Sequence, residues 1–183
     1  MTLSEEFDQN TSLAEIMSLN DSRSDPYPDF ILNDGYRQAY SHIVLASDNQ
    51  AELIPDFLLE PINQNSFCDL LELKLPSASV FILKKNRMHF SAAVCEARAQ
   101  LLEYSRFFDE RDHRDAIERR YGLRAYKLKM LLIIGRIGSE GQFDRRKIEA
   151  TQPDLCLNTY DDLVERAKFR LRRMKRGGLN IPT

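Results

Sequence analysis

Tryptophan is absent from this chain, and histidine and cysteine each occur three times. The cysteines, Cys68, Cys95 and Cys156, are far apart and form no Cys-x-x-Cys pair. That spacing argues against a structural zinc module, and an odd count argues against a disulfide framework. Two of the three lie beside apolar residues in predicted elements, so buried free thiols are expected. His42, His89 and His113 fall in different elements, without a second His, Cys or acidic residue at metal-binding spacing. No apolar run approaches the ~18 residues of a membrane span, and no basic start leads into an apolar leader. A soluble, cytoplasmic protein with no membrane partner is expected. Gly-x-Ser-x-Gly, Walker and dinucleotide-loop patterns are missing, and the Gly135–Gly141 turn lacks a phosphate-loop lysine.

What is present is ordinary in amount and uneven in placement. Hydrophobic residues make up 43% and charged residues 30% of the 183, enough for one core of the usual domain size of roughly 100–200 residues. The net charge of -2 hides a polarised chain. Residues 1–30 hold seven acidic side chains and one basic one, Arg23, whereas Arg166–Arg176 holds seven basic residues and no acid. Such clusters bear on polyanion binding whatever the total charge. Residues 1–35 read as an acidic, weakly ordered arm with a short helix possible at Leu13–Leu19 and a breaker at Asp25-Pro26-Tyr27-Pro28. Residues 36–183 read as the folded domain.

Within that domain, His42–Ala46, Leu53–Leu59 and Phe67–Leu75 read as three closely spaced strands, an antiparallel meander with a turn at Pro61–Ser66. Ser91 caps a long helix running from about Ala92 towards Arg111, and a further piece continues to Tyr121, with Gly122 as its stop. Tyr126–Ile134 is apolar enough for a central strand covered on both faces. Asp144–Thr151 reads as a short helix, and Thr159 caps a last one reaching about Met174. Asp161 and Asp162 in its first turn and the arginines at its end both suit the helix dipole. Strands, long helix, strand, helix make an α/β fold with a mixed sheet flanked by helices.

The chemistry concentrates on the third strand. Side chains alternate faces there, so Leu71, Leu73 and Leu75 share one face, expected on the core, and Leu70, Glu72 and Lys74 share the other. A hairpin brings Asp56, after Pro55, beside Glu72. Two converging carboxylates repel unless a cation sits between them, and hard oxygens favour Mg2+, with Mn2+ also suitable. The Leu73 backbone carbonyl can add a further oxygen. Phosphodiester hydrolysis uses such a cation to stabilise charge on the phosphate and to acidify the attacking water, which Lys74 would orient or deprotonate. On the following helix, Glu96, Gln100 and Tyr104 form one stripe at i, i+4 and i+8, beside an apolar face of Val94, Ala97, Leu101 and Phe108. A lone Glu-x-Lys is more often an exposed salt bridge, and Gln100 and Tyr104 alone more often edge an apolar face. It is the ordered combination with Asp56 that points to a site.

Ile54-Pro55-Asp56-Phe57, then Glu72-Leu73-Lys74 with Pro76, then Gln100-x-x-x-Tyr104 resembles the PD-(D/E)XK nuclease superfamily. More narrowly, Pro55–Arg136 and the later Tyr160-Asp161-Asp162-Leu163 resemble the C-terminal nuclease domain of Shedu anti-phage defence proteins. The likeness covers roughly residues 36–174. It implies a restriction-endonuclease-like fold, divalent-metal dependence, DNA as substrate and a homo-oligomer, with Gln100 and Tyr104 supporting the site and touching the nucleic-acid backbone. Related nucleases often add an upstream acid; Asp29, Asp34 and the more distant Glu15 are the residues available, with Glu96 or Glu52 as substitutes. Arg136 and the basic face of the last helix are then natural phosphate contacts. The alternative is a nuclease-fold module that binds DNA or assembles with little or no catalysis, and RNA cleavage also stays open.

Overall fold

The computed structural model describes residues 35–46, 52–137 and 142–177. The expected arm, its Leu13–Leu19 helix and the candidate acids Glu15, Asp29 and Asp34 lie outside the described residues.

Alternating leucines set the sheet. Strands β1 (Tyr36–Ser41), β2 (Phe57–Pro61) and β3 (Asp69–Leu73) form the expected antiparallel meander. Strands β6 (Met130–Ile133) and β7 (Leu155–Asn158) add parallel to β3, giving a five-stranded mixed sheet in the order β1-β2-β3-β6-β7. Between β3 and β6 the chain forms a separate hairpin, β4 (Phe81–Lys84) and β5 (Arg87–Phe90), then helices α1 (Ala92–Phe107) and α2 (Arg111–Tyr121). Helix α3 (Gln142–Glu149) precedes β7, and α4 (Tyr160–Gly177) follows it.

Period-two alternation sorts the leucines onto two faces. Leu58, Leu70 and Leu132 join Val94, Ala97, Leu101 and Phe108 of the α1 segment in the main core, where each is fully buried. Burying a leucine contributes roughly 1.5–3 kcal/mol, so this face dominates the packing. Leu59, Leu71 and Ile133 form a smaller cluster on the other face, with Leu73, Tyr160 and Leu163 against it. The leucine expectation is therefore corrected. The Leu70–Glu72 face carries the main core, the Leu71–Leu73 face carries the lesser one, and Leu75 is exposed. Glu72 is buried because its own face is the one that α1 covers.

Element boundaries shift for local reasons. The first strand lies at 36–41 rather than 42–46, since His42 adopts a left-handed φ of 56° that ends it, and Leu45 makes only an isolated bridge to Leu53. The second starts at Phe57, so Asp56 sits in the bend ahead of β2 rather than within the strand. The β4–β5 hairpin and β7 were not expected at all. The two expected helical pieces are both present, the first ending at Phe107; Ser91 caps it by accepting from Val94 N at 3.2 Å, and Gly122 stops the second with a φ of 72°. Thr159 caps α4 reciprocally, its Oγ1 accepting from Asp162 N while Asp162 Oδ2 accepts from Thr159 N at 2.7 Å. Only Cys68 is buried, with its thiol pushed up to about 12 by burial; Cys95 and Cys156 are exposed, against expectation. Among the described residues no helix is long and apolar enough to cross a membrane.

Gly135 joins the functional end of the sheet together. Its N–H donates to Leu75 O at 3.2 Å, and its carbonyl accepts from Tyr160 N at 3.1 Å. Its φ is 61°, and an added Cβ would lie 2.3 Å from Ala78 O and 2.7 Å from Val80 Cγ2. Gly135→Ala combines left-handed strain with overpacking against backbone, and is expected to cost about 2–4 kcal/mol. A thermal melt should show a fall of several °C; an unchanged Tm would mean that the 74–80 loop retreats freely.

Candidate active site

Extending the β2–β3 register by one step places Asp56 opposite Glu72, just past the Phe57–Leu71 pair. Asp56 does not join the ladder. Its Oδ2 accepts instead from Leu73 N at 2.7 Å, so a side chain closes the pairing where the strand ends. Because the Leu73 N–H faces Asp56, the Leu73 carbonyl faces the same side, as the N–H and C=O of one strand residue do. The alternate residues face β6: Leu70 N donates to Lys129 O and Lys74 N to Ile133 O. Glu72 and Lys74 thus stand at the carboxyl end of β3, the end at which open α/β sheets hold their ligands.

One chain of hydrogen bonds then crosses from strand to helix. Lys74 Nζ donates to Glu72 Oε1 at 2.7 Å and to Gln100 Oε1 at 3.0 Å. With its oxygen turned to the ammonium, Gln100 presents Nε2 to the Tyr104 hydroxyl, which donates to Ile54 O at 3.2 Å. The amide orientation follows from its two neighbours, one a pure donor and the other able to accept. The i, i+4 spacing of Gln100 and Tyr104 on α1 lets both reach inward. Tyr104 is 3% exposed and Gln100 half-buried, while Glu96, the third residue of the stripe, is exposed. The structure therefore gathers Asp56, Glu72, Leu73, Lys74, Gln100 and Tyr104 into one cluster.

The electrostatics are strained in one direction. Glu72 is 2% exposed, and its carboxyl is held above the usual carboxylate range by burial, with the Asp56 charge pushing the same way and Lys74 pulling against them. Glu72 Oε2 is buried without a hydrogen-bond partner. An unsatisfied carboxylate oxygen in a desolvated place costs more than a hydrogen bond returns. The Tyr104 hydroxyl is also pushed up, by burial first and by the charges of Glu72 and Asp56. Two carboxylates, one of them with an orphaned oxygen, and a backbone carbonyl on the same side are a donor set that fits a hard divalent cation. Among the described residues no group of three or more His, Cys, Asp or Glu is placed to hold a metal, so such a cation would rest on two acids and main-chain oxygen. Glu52 and Glu96 are both exposed and form no bond to this cluster.

Two contacts escaped the sequence. The Ile54 carbonyl anchors Tyr104, and the Tyr160 hydroxyl donates to Lys74 O at 2.9 Å, fixing the strand end from the opposite face. Neither has a spacing signal, since the second joins residues 86 apart. Arg136 lies 3.9 Å from Asp161, and Arg166 donates to Asn158, so part of the basic cluster is engaged within the fold. Tyr104→Phe removes the donor to Ile54 O and the acceptor for Gln100. It is expected to lower stability by about 1–2 kcal/mol in urea unfolding; no change would mean that water replaces both bonds without cost.

A five-stranded mixed sheet with helices on both faces, bearing its polar cluster at a strand's carboxyl end, is compatible with a restriction-endonuclease-like α/β fold. The family model described as the C-terminal part of the Shedu protein SduA matches residues 2–164, and the chain belongs to that family. The match takes in the acidic N-terminal segment as well as the span carrying the motifs. Among curated proteins none matches the chain.

Proposed function

We propose that this chain is a metal-dependent nuclease that hydrolyses DNA phosphodiester bonds in anti-phage defence, the setting that its family suggests. The observation that carries the reading is Glu72, a buried carboxylate with one oxygen on Lys74, the other without a partner, and Asp56 opposite. Asp56, Glu72 and the Leu73 carbonyl would hold Mg2+ or Mn2+. Bound there, the cation would stabilise charge on the phosphate and lower the pKa of the attacking water.

The chain's own residues do the rest. Lys74 gives its ammonium to Glu72 and Gln100, so its head is held over the site rather than free in solvent. From there the ammonium would orient the attacking water and offset charge in the transition state, whereas taking that water's proton would require the neutral amine. Gln100 positions Lys74, and Tyr104 positions Gln100. The exposed cations near the strand ends, with Arg172 on α4, would hold the DNA backbone without reading sequence.

One observation favours a second reading. With only two acids gathered among the described residues, the domain would bind DNA without turnover, acting as a nuclease-fold binding module. Linear, circular and single-stranded DNA incubated with Mg2+, Mn2+ or a chelator separate the two. The nuclease reading expects cleavage with metal and none with chelator. Retention of DNA at low salt with no products under any metal supports the module instead.

A further inference from the structure

The β4–β5 hairpin lies between the strand that carries Lys74 and the helix that carries Gln100, and nothing in the cluster above uses it. From Leu73 to Cys95 the chain has no acidic residue, while Lys74, Lys84, Lys85 and Arg87 are all basic. The register Phe81–Phe90, Ile82–His89, Leu83–Met88, Lys84–Arg87 divides the ribbon into two faces. Phe81, Leu83, Met88 and Phe90 share one; Ile82, Lys84, Arg87 and His89 share the other.

The root of this ribbon is fixed. Phe81 stacks on Phe90 at 5.6 Å, Ser91 N donates to Val80 O at 2.9 Å, and Val80 is buried against Gly135. The tip is not. Residues 83–87 are exposed, and Leu83 is 70% exposed. None of Lys84, Lys85 and Arg87 forms an ion pair with a described residue, whereas Arg37, Lys74, Arg98, Lys127 and Arg145 all do.

Two features of the tip oppose stability. Lys84 and Arg87 are direct cross-strand partners, and like charges in that position destabilise a hairpin. The turn residues Lys85 and Asn86 have φ of 48° and 58°. Asparagine tolerates that conformation, but lysine pays about 1 kcal/mol where glycine would pay none. A turn that keeps lysine at a left-handed position, beside two further unpaired cations, fits an anion supplied from outside the fold. A two-stranded ribbon is also of a size that the major groove of duplex DNA admits.

We propose that the β4–β5 ribbon is a DNA-gripping arm, its Lys84, Lys85 and Arg87 seated on backbone phosphates of a duplex beside the bond presented to Asp56, Glu72 and Lys74. This assignment rests on the nuclease reading for its substrate. Phosphate contacts of this kind set register and affinity, not sequence preference. Because the ribbon is rooted on both the Lys74 loop and the start of α1, DNA held at its tip has a fixed position relative to the cluster.

The test is binding without turnover. The triple variant Lys84→Gln, Lys85→Asn, Arg87→Gln and the wild type are titrated onto a labelled DNA duplex in chelator, over a series of KCl concentrations. The variant should melt no lower than the wild type, because it loses a like-charge pair and a strained lysine. Its affinity should fall on the order of 10–100-fold at 0.1 M salt, and its log K against log[salt] slope should flatten by about 2–3, one increment per lost contact. Equal affinity and equal slope overturn the arm. Binding of the wild type, but not the variant, to phosphatidylserine–phosphatidylcholine vesicles with unchanged DNA affinity also overturns it, in favour of a lipid surface. If the wild type binds no duplex, the arm falls, and the nuclease reading is decided separately by cleavage with Mg2+ or Mn2+. If it binds duplex through the ribbon yet never cleaves with Mg2+ or Mn2+, the arm stands and the nuclease reading falls alone.

Discussion

Glu72→Gln should abolish cleavage while making the metal-free protein more stable. The carboxyl of Glu72 is buried and raised, and its Oε2 has no partner. An acid whose folded pKa lies above its unfolded value binds more protons folded than unfolded, so stability falls as pH rises between the two. The window opens near the ordinary glutamate value of 4.5 and closes above the raised folded value. Above that window the wild type carries the whole penalty and the glutamine variant none. The difference in Tm should be a few °C in favour of the variant and should vanish as the pH drops below the window. Added Mn2+ or Mg2+ reverses the order. A cation bound only by the folded wild type adds about 2.7 kcal/mol at a hundred times its Kd, whereas the variant has lost a charged ligand. Cleavage should fall about 10³-fold or more. A variant less stable than the wild type without metal would mean that Lys74 alone satisfies Glu72.

Lys74→Met should also remove cleavage, by about 10²–10³-fold, but with the opposite effect on stability. Methionine keeps the apolar stem and loses the ammonium. Glu72 Oε1 and Gln100 Oε1 then both lose their donor, and a buried carboxylate is left with neither oxygen satisfied. Breaking a fully buried pair costs about 3–5 kcal/mol, and the partial exposure of Lys74 brings the expected loss to roughly 2–3. Divalent cation should restore much of that loss, since the two acids and the Leu73 carbonyl remain. Calorimetry with and without Mn2+ checks it. Two substitutions that both stop turnover yet shift stability in opposite directions are the signature of a site whose carboxylate awaits a cation.

The polar cluster is more legible in the sequence than the frame that holds it. Asp56, Glu72, Lys74, Gln100 and Tyr104 could be marked because period-two and i, i+4 spacings survive small errors in element boundaries. The sequence does not show which face is which, because Leu70 and Leu71 are chemically alike, and only the docking of α1 decides which of them looks onto the larger core. The apolar flanks of Asp56 read as strand and conceal the bend before Phe57. Strand β7 is four residues long and contains Cys156 and Asn158, too little pattern to announce a strand. The hairpin was missed because its turn is Lys-Asn rather than a glycine pair, so the strain that makes it informative also hid it. Tyr160 on Lys74 O is a tertiary fact with no local trace.

The measurement closest to the central claim is single-turnover cleavage of one linear duplex by wild type, Glu72→Gln and Lys74→Met, at saturating Mg2+ and again in chelator. The account predicts metal-dependent cutting by the wild type and a loss of about 10²-fold or more in each folded variant. Equal rates in all three proteins, or cutting that persists in chelator, would contradict it.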